Sequence, residues 1–116
     1  MFHLINLQRV QQSMGELSVF DYVADAFLAQ SSAWRTDFSL HTKVFDRMAL
    51  AALVHKMKGS CQAVAAFGVA HEFELAERAL PHMPLQEWPA CAARLVLQLD
   101  FLEAEIRAIM RRDDAS

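Results

Sequence analysis

Glycine and proline are scarce, with three of each in 116 residues, and the prolines gather at Pro81, Pro84 and Pro89. So few breakers exclude a loop-rich or collagen-like chain, and abundant Ala, Leu, Gln and Met favour helices over strands. Only two cysteines are present, Cys61 and Cys91, and neither has a partner at metal or redox spacing. A disulfide scaffold and a zinc ribbon are therefore not expected; the two read as free thiols in a reducing cytoplasm, serving as small core hydrophobes. No charge of one sign dominates: 11 Lys and Arg oppose 14 Asp and Glu, a formal net charge of −3. Without clustered basic residues there is no electrostatic footprint for nucleic acid. Apolar runs are all far shorter than the ~20 residues of a membrane span. Residues 1–10 are interrupted by Asn6, Gln8 and Arg9 and lack a basic leader, so no signal peptide is expected.

What remains is a chain with 54% hydrophobic and 22% charged residues, enough apolar material for the core of one domain over residues 1–116. Helical spacing is visible in several stretches. A short helix is expected over 4–12, interrupted by Gly15. Ser18, with Asp21 three residues on, resembles a helix start, and Phe20, Val23, Ala24, Phe27, Ser31, Trp34 and Phe38 carry the pattern to about 42. Asp46 is an N-cap candidate for a helix over 46–66, whose stripe runs Leu50, Leu53, Val54, Met57, Cys61 and Val64. A shorter helix over 69–80 is closed by Pro81, and the proline cluster reads as a rigid loop. Over 87–112, Trp88, Ala92, Leu95, Leu99, Leu102, Ile106 and Ile109 alternate by fours and threes, as in the seam of a bundle. Arg111 and Arg112 suit its C-terminus, and Asp113 to Ser116 should fray. The sum is an all-α fold: an antiparallel four-helix bundle, up-down-up-down, with a short N-terminal lead helix.

The segment His55-Lys56-Met57-Lys58-Gly59-Ser60 falls in the middle of the third of these helices. At about 100° per residue, His55 points roughly 150° away from the apolar stripe. Met48, Ala51, Ala52, Gly59, Gln62 and Ala66 share its face, with Lys58 at the edge. An outward face this small and uncharged suggests a docking surface. Gly59 costs a helix about 1 kcal/mol relative to alanine, and no core contact asks for it there. Close approach of another molecule's backbone beside the imidazole would. Lys58 can bring an ammonium to anything attached to His55, and imidazole is a competent nucleophile near neutral pH. Phosphoryl groups need such a cation. Lys56 points elsewhere and could steer an acidic partner.

This hexapeptide resembles the H-x-L-K-G-S signature of histidine-containing phosphotransfer (HPt) domains, found in bacterial multistep two-component phosphorelays. Asp46, nine residues before the histidine, stands at that family's usual helix start, and Ala76-Glu77 resembles its Leu-Glu or Leu-Gln pair some twenty-two residues after it. The family often has Leu-Gly ten residues past the histidine, at a turn; here Val64-Ala65 stand there, with Gly68 three residues later. A turn spread over 65–68 would bring His55 and Glu77 to similar heights, whereas a turn at Gly68 alone would separate them by ~6 Å at 1.5 Å per residue. The resemblance implies a cytoplasmic, monomeric phosphoryl carrier without autonomous kinase or hydrolase activity. His55 would accept the phosphoryl group, Lys58 would stabilise it, Gly59 would give steric clearance, and Glu77 would orient the imidazole. Partners would be receiver domains of a hybrid sensor kinase or response regulator, docking over Met48, Ala51, Ala52, Lys56, Gln62 and Ala66. No cofactor is implied for the chain itself, because Mg²⁺ belongs to the receiver.

Other classes stay open. A non-phosphorylating interaction module could use the same flat face, and a purely structural bundle would use none. His71, Glu72, Glu74 and Glu77 invite a metal reading, but two-metal bundles use paired Glu-x-x-His motifs, which are absent. HExxH and CxxCH are absent too, so no metal is expected. His3, His41 and His82 have no local constellation, and Met14, Met48, Met83 and Met110 read as fillers.

Overall fold

In a computed structural model the described residues, 4–14 and 17–111, are helical with short connections and no strand. The elements are α1 (Leu7–Met14), α2 (Leu17–Lys43), α3 (Arg47–Ala63), α4 (Phe67–Ala79) and α5 (Trp88–Met110), with single 3-10 turns at Leu80–His82 and Leu85–Glu87. Among them no helix is long and apolar enough to cross a membrane.

Two helix starts, those of α1 and α3, are fixed by side-chain caps. Asp46 caps α3 as expected, its carboxylate accepting from the Ala49 N–H at 3.1 Å. The lead helix begins later than residue 4, because Asn6 is its cap and accepts from the Arg9 N–H at 3.0 Å. The backbone before it is held elsewhere: the Leu4 and Ile5 N–H groups donate to the Glu105 carboxylate, and the Asn6 N–H donates to the Ala65 carbonyl at 3.0 Å. Helix α2 already contains Leu17, so Ser18 lies within its first turn; the Ser18 side chain, Gly15, Arg112 and the expected fraying of Asp113 to Ser116 lie outside what is described. Pro89 occupies the first turn of α5, where its missing N–H costs no helical hydrogen bond. The proline-rich connection, expected as a rigid loop, is built around the two 3-10 turns.

Two connections share one device. At the end of α2, the Asp46 N–H reaches the His41 carbonyl and the Phe45 N–H reaches that of Thr42; Phe45 sits at φ 45°. At the end of α3, the Ala66 N–H reaches the Cys61 carbonyl at 2.9 Å and the Ala65 N–H that of Gln62 at 2.9 Å, with Ala65 at φ 60°. This is the pattern that usually places glycine at the left-handed position. The conformation costs an L-residue ~1–2 kcal/mol. Burial of the Ala65 methyl offsets part of that cost, and the Phe45 ring is held between the Trp88 ring, 6.1 Å away, and the Arg47 guanidinium at 4.5 Å. The turn between α3 and α4 therefore lies at 64–66. Helix α3 stops three residues short of the expected 66, and α4 starts at Phe67 rather than 69. Gly68 lies in the first turn of α4, not at the reversal.

Helix α2 packs on α3, α3 on α4, α4 on α5, and α5 back on α2, while α1 rests on α2. The predicted stripes face inward. Phe20, Phe27, Trp34 and Phe38 of α2, and Leu50, Val54, Met57 and Cys61 of α3, are buried, as are all seven predicted positions of α5. Burial pushes the Cys61 thiol up to about 12 and raises that of Cys91, so both behave as apolar fillers with little thiolate. At one end, the Trp88 indole N–H donates to the Thr42 hydroxyl at 3.0 Å, and Arg47 donates to the Leu80 carbonyl at 2.5 Å. Nearer the middle, Arg35 of α2 meets Glu103, 7% exposed, and Asp100 at 2.7 Å, both on α5.

Removing one member of that cluster leaves a buried carboxylate without a cation. Arg35→Met should cost roughly 2–3 kcal/mol, a buried-pair penalty discounted because the guanidinium is partly solvated. Adding Glu103→Leu should recover most of it. Denaturant titration of the single and double variants measures the coupling, and equal losses in both would contradict it.

Candidate functional site

Helices α3 and α4 form an antiparallel hairpin, tied at the open end by Arg47 and Leu80 and at the closed end by the Ala65 turn. Counted from the helix ends at that turn, His55 lies about 12 Å along α3 and Glu77 about 15 Å along α4. Side chains span the small difference. His55 Nδ1 is 2.9 Å from Glu77 Oε2, and Lys58 Nζ is 3.2 Å from Glu77 Oε1. One carboxylate thus bridges an imidazole and an ammonium, using a different oxygen for each.

The bridge determines what the ring can do. An ionised carboxylate only accepts, so the ring proton belongs on Nδ1. In the neutral ring that leaves the lone pair on Nε2. The His55 side chain is 65% exposed, against 28% for Glu77 and 17% for Lys58. The imidazole faces water while the carboxylate and ammonium beside it are more covered.

The face around His55 is largely as expected. Met48, Ala52, Lys56, Gly59 and Gln62 are exposed, and Met48, at 85%, fills no core space. Ala51 is half-buried. Ala66 does not belong to this face: it is fully buried and precedes α4. Its outward position was extrapolated along a helix that ends at Ala63, and past that point the 100° rotation no longer applies. A Cβ added at Gly59 would meet no atom within 4 Å, so nothing inside the molecule requires glycine there.

Lys58 stands at the edge of the face, and its ammonium is engaged by Glu77. The Lys58–Glu77 pair was missed in the sequence; its only signal is that two helices must be in register. On α4, Glu74 is occupied by Arg78 at 3.3 Å and has His71 at 3.7 Å. No cluster of three or more His, Cys, Asp or Glu side chains among the described residues could hold a metal.

No known family model matches this chain, and no curated protein or solved structure is significantly similar to it.

Glu77→Ala should release the tautomer. Imidazole ¹⁵N chemical shifts of wild type should show His55 protonated at Nδ1 in the neutral ring, and the variant should lose that bias. A ring that keeps its Nδ1 proton without Glu77 would contradict the orienting role.

Proposed function

We propose that this chain is a histidine phosphotransfer protein of a bacterial two-component relay, with α2 to α5 acting as an antiparallel four-helix bundle and His55 as the phosphoryl carrier. The closed circuit of contacts among these four helices supports the architecture, with α1 as the lead helix. The observation that carries the chemistry is the 2.9 Å contact between His55 Nδ1 and Glu77 on an otherwise exposed ring.

A receiver domain phosphorylated on aspartate docks over the His55 face, and Mg²⁺ in its acidic pocket neutralises the phosphoryl oxygens. The Nε2 lone pair attacks phosphorus in line. The N–P bond forms as the P–O bond to the aspartate breaks, and the electron pair leaves with that carboxylate. No proton has to move, since Nε2 carries none. The ring becomes cationic, and the Glu77 carboxylate on Nδ1–H faces the new charge, much as a carboxylate supports the histidine of a catalytic triad. Lys58, held by the same carboxylate one turn from His55, offers its ammonium to the phosphoryl oxygens. Every step reverses with a second receiver, so the chain shuttles the group without hydrolysing it. Met48, Ala51, Ala52 and Gln62 supply the contact surface, and Lys56 steers an acidic partner. Such a relay operates in the cytoplasm.

His55→Gln should abolish labelling by a phosphorylated receiver while circular dichroism stays unchanged; the wild-type label should be lost in acid and survive alkali. Undiminished labelling of the variant would refute His55 as carrier.

Gly59→Ala separates clearance from folding. With open space around the added methyl, stability should rise by roughly 0.5–1 kcal/mol while transfer from the receiver slows. A variant both more stable and equally fast would remove the role given to the glycine.

A further inference from the structure

The chain ahead of α1 is held by directed bonds as well as by apolar contact. The Leu4 and Ile5 N–H groups donate to the two oxygens of the Glu105 carboxylate, at 3.2 and 2.6 Å. The next amide, that of Asn6, donates to the Ala65 carbonyl at 3.0 Å. Glu105 is half-buried on α5, so consecutive amides join α5 to the turn between α3 and α4. Burial of Ile5, 2% exposed, holds the segment against the core but has no preferred direction. Two bonds to one carboxylate fix its height and aim the following N–H.

The carbonyl that receives this N–H occupies a decisive place. It belongs to the peptide between Ala65 and Ala66, whose own N–H donates to the Cys61 carbonyl at 2.9 Å. That peptide is gripped at both ends, by α3 from within the hairpin and by Asn6 from outside it. It directly follows the left-handed Ala65, at φ 60°. The steric cost of that conformation and the net worth of one hydrogen bond are of the same order, so the outside bond bears on whether the turn holds. Arg9 adds a second tie, its guanidinium 5.3 Å from the centroid of the Phe67 ring at the first residue of α4. Glu77 stands ten residues further along that helix. One residue of slippage at the turn moves its carboxylate about 1.5 Å along α4 and about 100° around it. The 2.9 Å contact with His55 does not survive such a step. At the other end of the hairpin, Arg47 reaches the Leu80 carbonyl through a long flexible side chain, which follows the register more than it sets it.

We infer that Glu105 is a positioning residue for the His55 site. Through Leu4, Ile5 and Asn6 it holds the left-handed turn at Ala65, and so keeps the Glu77 carboxylate on Nδ1 of the imidazole. Its effect on transfer rests on the phosphotransfer reading; its effect on the ring tautomer does not.

Imidazole ¹⁵N shifts of His55, at a pH where the ring is neutral, read this effect directly. Glu105→Ala should lose much of the wild-type Nδ1–H bias, with the helical circular dichroism unchanged. Adding Ala65→Gly should restore the bias, because glycine takes the left-handed conformation without steric cost and the turn no longer needs the outside bond. A merely structural Glu105 would lower stability without moving the tautomer. Amide exchange in the wild type is a second measurement that needs no variant to fold. The Asn6 and Ala66 N–H groups should open together, with protection within about tenfold of each other. An intact Nδ1–H bias in folded Glu105→Ala overturns the inference, as does a double variant that fails to regain it. So does an Asn6 amide that exchanges more than about tenfold faster than Ala66, since the turn then stands without the segment. A failure of the relay reading shows differently, as a wild type that takes no label from a phosphorylated receiver.

Discussion

The Glu77 carboxylate sits between His55 and Lys58, and the arrangement has meaning only because two helices are held in one register. His55 and Lys58 are neighbours on α3 by helical spacing alone. Glu77 reaches them from α4, and its height depends on how tightly the chain reverses. The Ala65 turn sets that height, accepting a left-handed alanine to do so. A reversal begun at Gly68 would have drawn the carboxylate away from the ring. Backbone geometry at one buried alanine thus decides which ring nitrogen carries a proton.

Exposure completes the division of labour. A histidine buried with its carboxylate would be a structural ion pair, and an exposed histidine without one would leave its tautomer unassigned. Here the ring is open to solvent while its supports are largely covered, which is what the proposed transfer to a docked partner requires. The core beneath is apolar, with Cys61 and Cys91 as fillers, and the one buried charge among the described residues, Glu103, is compensated by Arg35 between α2 and α5. The two polar clusters are therefore separate: one joins α2 to α5, the other joins an exposed imidazole on α3 to α4.

Much of this was legible along the chain. The fours and threes of α5 from Trp88 to Ile109, the inward stripe of α3 and the Asp46 cap are local patterns with local causes, and each stands where it was expected. The outward position of His55, Gly59 and Gln62 followed from rotation about one helix. What could not be read needed two elements at once. The reversal was obscured because alanine takes the glycine position while a true glycine stands three residues later. Ala66 was carried outward by extending a helix beyond its end. The engagement of Lys58 by Glu77, and of Arg35 by Glu103, depends on how distant helices align, which no single periodicity encodes. The late start of α1 turned on Asn6, whose side chain caps the helix, while Glu105 of α5 binds the Leu4 and Ile5 amides before it.

The most direct measurement of the central claim is the chemical identity of the phosphorylated ring. Heteronuclear NMR of the phosphorylated protein, with ¹⁵N-labelled imidazole, distinguishes a phosphoryl group on Nε2 from one on Nδ1 through the nitrogen coupled to phosphorus. Attachment at Nε2 of His55, with Nδ1 still protonated against Glu77, is the expected result. Attachment at Nδ1, or at any residue other than His55, would contradict the account.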